Sequence, residues 1–440
     1  MEQDLTKGSI KRHYMTYLGA AFGSAMVACV YGMVDAAAVG QYQGPTGAAT
    51  LSIVMPIWTI LYSLGLLIGI GGSVNYAFCK AQGKTRKANA YFTLSFLLTA
   101  LVSVLCWIGL TVFQEPLLRL FGADDELLVL AKTYLRPIQF VIPTFPFSQF
   151  LAAFLRNDNA PGKATFAVLF GGIFNVLGDI FFVFDFGLGL GIFGAGLATA
   201  LGCTITNLIM LTHFISPRNS LKLSRIFGYV HKSQHIITSG FSSFLADNAI
   251  GIIAMLFNRQ IMRYFGSDAL AVYGVIVQVT CVVQCSTYGV GQAAQPLLSA
   301  NYGAGLWERI GKTRNYSLWT VGIFGLFWTA AVLLFPNLFV YLFMSPTESV
   351  LQIAPGIMRI YAISYLSLPL NIFATYYFPS LGRPGAALVI SLGRGTVLSG
   401  VLLYLLPAVL GADALWWVMP VTEFAVAAYV IGKITHFRNS

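Results

Sequence analysis

The chain has 440 residues, 57% of them apolar and only 10% charged, with a mean hydropathy of +0.74 and a formal net charge of +10. Soluble globular chains carry about 25% charged residues, so these figures exclude a soluble enzyme with one anchor. The positive balance does not indicate a nucleic-acid binder either, because the basic residues are dispersed over short loops and no soluble domain exists to carry a groove.

A bilayer core about 30 Å thick needs about 20 apolar residues per helix. Twelve stretches meet that need, at 14–39, 50–78, 90–113, 128–155, 164–186, 193–215, 234–258, 268–298, 314–336, 351–379, 386–408 and 414–436. Glu2, Asp4, Lys7, Lys11 and Arg12 precede the first, which is followed by further spans rather than by a cleavage site. With the N-terminus inside, the inner segments collect Lys80, Lys84, Arg86 and Lys87, then Arg156 and Lys163, then Arg218, Lys222, Arg225 and Lys232, then Arg309, Lys312 and Arg314, then Arg383 and Arg394, and finally Lys433 and Arg438. Outer segments are short and often acidic, as at Asp124-Asp125-Glu126, Glu348 and Asp413. This positive-inside pattern puts both termini in the cytoplasm. Lipid forbids unpaired backbone, and the sequence lacks the alternation of an outer-membrane barrel, so every span is expected to be helical.

The chain also resembles itself. Gly69, Gly71 and Gly83 recur as Gly289, Gly291 and Gly303 at an offset of 220; Phe121 recurs as Phe343 at 222; Pro146 and Pro161-Gly162 recur as Pro369 and Pro384-Gly385 at 223. Each half holds six spans, an even number, so the second copy enters the membrane in the same direction as the first. The expected organisation is an N-lobe at 1–215, a basic cytoplasmic linker at 216–233 (SPRNSLKLSRIFGYVHKS) and a C-lobe at 234–440. Prolines cluster in the fourth and tenth spans, where they serve as packing kinks or hinges. The fold class is therefore all-α and polytopic, with twelve transmembrane helices in two parallel six-helix repeats.

Charges at bilayer depth are costly and mark function more often than packing. Asp35 lies in VYGMVDAAAVG of the first span, flanked by small residues that leave room for a ligand. Asp179 lies in FNVLGDIFF of the fifth, with Asn175 one helical turn earlier on the same face. Thr199 of the sixth can add a hydroxyl. Two carboxylates, an amide and a hydroxyl suit a proton or a small hard cation, which prefers oxygen ligands, and such a pair can exchange one for the other. The alternative is that both acids merely bond to neighbouring hydroxyls.

In the second half, Asp247 and Asn248 of the seventh span face a central cavity in this reading and attract cationic cargo. Glu423 of the twelfth either does the same or pairs with Arg394 of the eleventh. Gln278, Gln284, Gln292 and Gln295 punctuate the eighth span and either line a wet path or bridge helices. Asp185 and Asp268 lie at membrane edges. The six cysteines, at 29, 79, 106, 203, 281 and 285, form no C-x-x-C pair and read as small buried thiols. The five histidines sit near span ends or in loops, and neither H-E-x-x-H nor G-x-S-x-G occurs, so no enzyme is expected. Gly189-Leu190-Gly191-Ile192-Phe193-Gly194 fits a dinucleotide fingerprint, but no acid follows between Asp185 and Asp247; it reads instead as a tight outer turn entering a close-packed helix.

VDAAAVGQYQGPTGAATLSIVMP resembles the first-span signature of the MATE (multidrug and toxic compound extrusion) family, and Asn175-x-x-x-Asp179 resembles its fifth-span motif. The paired glycine and Pro-Gly motifs fit as well, and the likeness extends over the whole chain, nearest to the bacterial branch of MepA-like and DinF-like exporters. The resemblance implies two six-helix lobes in a V around a central cavity. It implies export of organic, cationic and aromatic compounds in exchange for H⁺ or Na⁺, by a monomer of the bacterial cytoplasmic membrane with no cofactor. The family's first-lobe ion site carries over to Asp35, Asn175, Asp179 and Thr199, with Na⁺ as one occupant. Where one branch of the family has a second-lobe acidic pair, Asp247 falls near one member but the tenth span offers Asn371. Asn371 joins Asp247, Asn248, Gln278, Gln284 and Glu423 as the expected lining of the substrate cavity. A flippase for a lipid-linked precursor is the alternative; it would need a basic cavity, and Arg359 and Arg394 are the nearest candidates.

Overall fold

The computed structural model describes residues 5–121, 123–226, 230–343 and 346–439. Glu2, Asp4 and part of the linker lie outside the described residues, as do the side chains of Cys29, Ala36, His436 and Arg438. The described residues form helices and no strands. Ten of these helices are long and apolar enough to cross a membrane, or eleven if one bent pair counts as a single span. They and the bent pair correspond to eleven of the twelve apolar stretches read from sequence, with edges that differ by up to seven residues; the stretch at 14–39 is not among them.

The first helical stretch, α1 (Ile10–Ala81), contains both of the first two stretches. Its 72 residues, if straight, would extend about 108 Å at about 1.5 Å per residue. It is not straight. A Cβ on Gly47 would lie 2.7 Å from the carbonyl oxygen of Val39, eight residues back, whereas a straight helix separates such residues by about 12 Å. The chain therefore reverses between them, as two antiparallel spans require.

From there the element order repeats. In the first half come α2 (Thr85–Val112), the short α3 (Gln114–Leu120), α4 (Asp125–Gln139), α5 (Thr144–Asn157), α6 (Pro161–Val183) and α7 (Gly191–Leu211). In the second half α8 (Ser233–Tyr264) and α9 (Ser267–Gly303) correspond to α1. They lead to α10 (Trp307–Leu334), the short α11 (Pro336–Phe343), α12 (Glu348–Ala362), α13 (Leu368–Ser380), α14 (Pro384–Leu392), α15 (Leu398–Leu410) and α16 (Val418–Asn439). Equivalent helices start by equivalent means. Asp124 caps α4 by accepting from the Leu127 amide at 2.8 Å, and Thr347 caps α12 through the Val350 amide. Proline opens both α6 and α14, where its missing N–H costs nothing.

The proline-rich spans break at matching places. α4 and α5 meet at 52° around Val141–Pro143, and a 3₁₀ turn, Ile363–Leu366, separates α12 from α13. One difference stands out. α6 is continuous, whereas its counterpart is interrupted by a π-helical turn, Gly393–Val397, between α14 and α15. Such a turn inserts about one extra residue into a helix.

The chain forms two compact units that interleave in sequence. Unit 1 comprises Met1–Ser9, Gly19–Gly240 and Ser299–Leu306; unit 2 comprises Ile10–Leu18, Phe241–Leu298 and Trp307–Ser440. The fingerprint-like run at 189–194 is the expected turn into α7, with Gly189 at φ +61° and the amides of Leu188 and Leu190 bonding back to Phe181 and Phe182. The cysteines are less uniform than expected. Cys79 and Cys203 are buried, Cys106 and Cys285 are half-buried and Cys281 is exposed, because an apolar span spends one face on lipid and a thiol is tolerated there.

Candidate functional site

The first-half polar residues converge inside unit 1, through the packing of α6 on α7. Small residues bring these helices together. A Cβ on Gly178 would stand 2.9 Å from the Ala198 methyl, and one on Gly202 would stand 2.8 Å from the Gly171 carbonyl and 3.1 Å from Cβ of Asn175. Close approach of this kind is how membrane helices gain contact without a hydrophobic driving force. It sets Asn175 of α6 against Thr199 of α7, with the amide Nδ2 donating to Thr199 Oγ1 at 3.3 Å. Asp179 follows Asn175 by one turn and is fully buried.

Tyr134 of α4 completes the cluster. Its hydroxyl donates to Asp35 Oδ2 at 3.2 Å and lies 3.5 Å from Thr199 Oγ1. The ring is 1% exposed and packs edge-on against Trp58. α7 approaches the Tyr134 backbone closely where it carries only Gly196. Asp35, Tyr134, Thr199 and Asn175 thus form a continuous polar chain, and Asp35 acts electrostatically on Asp179.

The chain of hydrogen bonds leaves acceptors over. Both carboxylate oxygens of Asp179, Asp35 Oδ1 and the Asn175 amide oxygen are buried and accept no hydrogen bond from the described residues. Nor does any basic side chain among the described residues pair with either acid. An ionised carboxylate in a medium of low dielectric is unfavourable without a proton or a cation. Three of these oxygens lie on neighbouring turns of α6 and the fourth on α1; they are acceptors that a proton or Na⁺ would meet, so these residues fit the coupling ion that the resemblance implies.

The second half is arranged differently. Glu423 of α16 is fully buried, and its Oε1 accepts from Arg394 Nε and a second guanidinium nitrogen, both at 3.0 Å. Its Oε2 accepts from Asn371 Nδ2 at 2.6 Å. Arg394 sits in the π turn, 7% exposed, so it is an intramembrane charge and not part of the inner basic cluster to which its parity assigned it. Glu423 therefore takes the pairing option left open by the sequence. Asp247 is half-buried beside Tyr288, whose hydroxyl lies 3.5 Å from Oδ1. The Asn248 side chain donates to the Phe244 carbonyl. Gln278 is exposed on α9, and Gln284 and Gln295 are buried. Of the six residues expected at the cavity, Asn371 and Glu423 take part in the ion pair and Asp247 stands with Tyr288.

Sequence reasoning missed Tyr134. One tyrosine among 21 carries no signal by itself. Its position, one helical turn before Pro137 in a span that breaks, was the only pointer.

A family model described as MatE matches residues 20–181 and again residues 243–405. The chain belongs to the MatE family. It is a multi-pass membrane transporter, and the double match restates the internal duplication independently of its glycines and prolines. Similar proteins include a multidrug export protein MepA of Staphylococcus saprophyticus, 23% identical over 67% of this chain and 65% of that protein. The aligned stretch thus spans just under two thirds of that relative. A probable multidrug resistance protein YoeA of Bacillus subtilis is 24% identical over 83% of this chain and 80% of the relative. MepA of Staphylococcus aureus is 21% identical over 92% and 90%. A solved outward-facing multidrug resistance MATE transporter of the MOP superfamily superposes with a TM-score of 0.90 at 19% identity, covering 100% of this chain and 99% of that one. This likeness shows the shared fold.

Proposed function

We propose that the protein is a secondary antiporter that exports organic cations, aromatic ones among them, in exchange for H⁺ or Na⁺. The observation that carries this reading is the pair of acids, half-buried Asp35 and fully buried Asp179, three of whose four oxygens are buried with no partner among the described residues. A structural acid would be expected to look like Glu423, held by a guanidinium and an amide. The relatives named as multidrug exporters support the cargo class.

In the proposed cycle the lobes, 1–215 and 234–440 joined by the linker at 216–233, alternate between an outward- and an inward-open state. Ion binding at Asp35 and Asp179, with Asn175, Thr199 and Tyr134 as neutral ligands, stabilises one state and cargo stabilises the other. Exchange follows from that difference in affinity. Asp247 is the second-half acid best suited to attract a cation, since a single long contact from Tyr288 leaves its charge available. Both termini lie in the cytoplasm in this reading, and the working unit is one chain.

The flippase alternative fares worse. Arg394 is neutralised by Glu423, and Arg359 is exposed with its Nε donating to the Leu333 carbonyl. Neither presents a cation to a pyrophosphate.

The deciding experiment is uptake of a fluorescent organic cation into proteoliposomes, with a proton gradient and a sodium gradient imposed separately. The expected result is transport driven by at least one gradient and abolished in both Asp35→Asn and Asp179→Asn. Transport by those variants at the wild-type rate would overturn the assignment.

A further inference from the structure

Outside the ion site, the most heavily satisfied acid in the first half is Asp158, which follows α5 and is 1% exposed. His213 Nε2 lies 2.8 Å from its Oδ2, and the Ser220 amide donates to the same oxygen at 2.9 Å. Lys80 Nζ donates to Oδ1 at 3.1 Å and the Tyr76 hydroxyl at 3.2 Å, and the Ser220 hydroxyl bonds there as well. The Lys80 ammonium also reaches Ser220 Oγ at 2.5 Å and lies over the Tyr76 ring. One carboxylate therefore ties the ends of α1 and α5 to the chain that leaves α7.

That chain is the start of the inter-lobe linker, and it is stitched down beyond Ser220. The Asn219 side chain donates to the Phe214 carbonyl and accepts from the Leu221 amide. Leu221 is buried. The Lys222 amide donates to Asn89 Oδ1 and the Ser224 amide to Thr93 Oγ1 at 2.9 Å, both on α2. All these contacts lie within unit 1.

The repeat supplies the control. Second-half positions equivalent to Lys80 and Asp158, at offsets of 220 and 223, are Ala300 and Leu381. The second half builds the same succession of helices with neither of these two charges. A six-helix lobe thus does not need this charge pair. We propose that residues 213–224 are a strap which Asp158 locks to unit 1, so that strap and unit move as one body and the hinge of the transport cycle is confined to the chain beyond Ser224. This rests on the alternating-access reading above, but the lock can be tested apart from transport.

Arg218 and Lys222 are exposed and offer trypsin sites within the strap. Cleavage of a locked segment requires local opening, and its rate follows the population of the open form. The informative variant is Lys80→Ala with Asp158→Leu, which installs the second-half pair and leaves no orphaned charge; Asp158→Asn is the single-site companion. The purified full-length variants, in detergent and in liposomes, should remain monodisperse. Cleavage after Arg218 and Lys222, followed by mass spectrometry, should accelerate by about tenfold or more, while cleavage in the loop at Lys84 stays unchanged. Cation export should show a lowered maximal rate at unchanged KM, because the site is intact while the moving body has loosened. A folded double variant with wild-type strap cleavage would overturn the lock. Accelerated cleavage with wild-type export would overturn its role in the cycle. If wild-type protein proved not to be ion-driven at all, the function proposed above would fail while the cleavage result still judged the lock.

Discussion

The two halves share a topology and handle buried charge in opposite ways. In the second half Glu423 faces Arg394 and Asn371, and both carboxylate oxygens are engaged. In the first half a single tyrosine hydroxyl, on Asp35, is the one hydrogen bond that the four oxygens of Asp35 and Asp179 receive from the described residues, and no basic side chain among those residues pairs with either acid. A buried ion pair that satisfies itself is electrically finished and has little reason to change partners. Two acids that the protein leaves unfinished must take a proton or a cation from outside. The difference arises on matching helices. α6 runs unbroken and carries Asn175 and Asp179, whereas its counterpart is broken by the π turn that carries Arg394.

The comparison can be broken most directly at the unfinished acids. Asp179→Asn is expected to remove ion-driven export, with coupling falling by about 100-fold as the exchangeable charge is lost. Folding should be unharmed, since no described residue depends on that carboxylate; vesicle transport beside a thermal melt reads both. Glu423→Gln should do the reverse. It leaves Arg394 buried and uncompensated, at a cost of about 3–5 kcal/mol, visible as a lowered melting temperature. Replacing the pair by apolar residues, as in Arg394→Met with Glu423→Leu, should recover most of that loss. A Glu423→Gln variant that melts normally but loses coupling would move the ion site to the second half.

Tyr134→Phe sharpens the picture at smaller scale. It deletes the only hydroxyl that Asp35 receives among the described residues. A neutral hydrogen bond is worth about 1 kcal/mol, so the apparent ion affinity should shift by about fivefold, read as a displaced pH or Na⁺ dependence of export. The smallest effect concerns pH and the strap. Burial raises the Asp158 pKa, but the His213 hydrogen bond, the Lys80 charge and the two bonds from Ser220 outweigh it and hold the group below its ordinary 3.8. A depressed acid stabilises the folded form above its unfolded pKa and loses that contribution only as pH falls through the lower folded value. The groups facing it, Lys80, His213 and Tyr76, all donate to the carboxylate or can do so. The strap should therefore stay locked from about pH 8 to about pH 5 and open only in strong acid, read by amide hydrogen exchange.

How much was legible beforehand differed by residue. Asp35 and Asp179 could be singled out because an acid within an apolar run is rare and costly, whatever surrounds it. Asn175 came with Asp179 through a four-residue spacing that any helix would honour. Glu423 could be noticed but not interpreted: pairing with Arg394 and facing a cavity both suited the sequence, and only the π turn, which carries Arg394 inward, decides between them. Asp158 passed unremarked, since Arg156-Asn157-Asp158-Asn159 next to a loop looks like an ordinary solvated helix end. Its burial depends on the chain from 213 to 224 folding back over it, and its four partners lie 55 to 82 residues away.

The amino-acid sequence by itself determined that this protein is a duplicated bundle of membrane-spanning helices, because a lipid solvent admits almost no other solution for long apolar runs and a repeat of turn residues survives in plain order. It also singled out the acids that lie within apolar spans, though not Asp158. Tertiary structure alone decided which of those acids are satisfied. Satisfaction depends on distances between side chains from helices far apart in sequence, here α1, α4, α6 and α7 in one half and α13, α16 and the π turn in the other, and no periodicity along the chain encodes them.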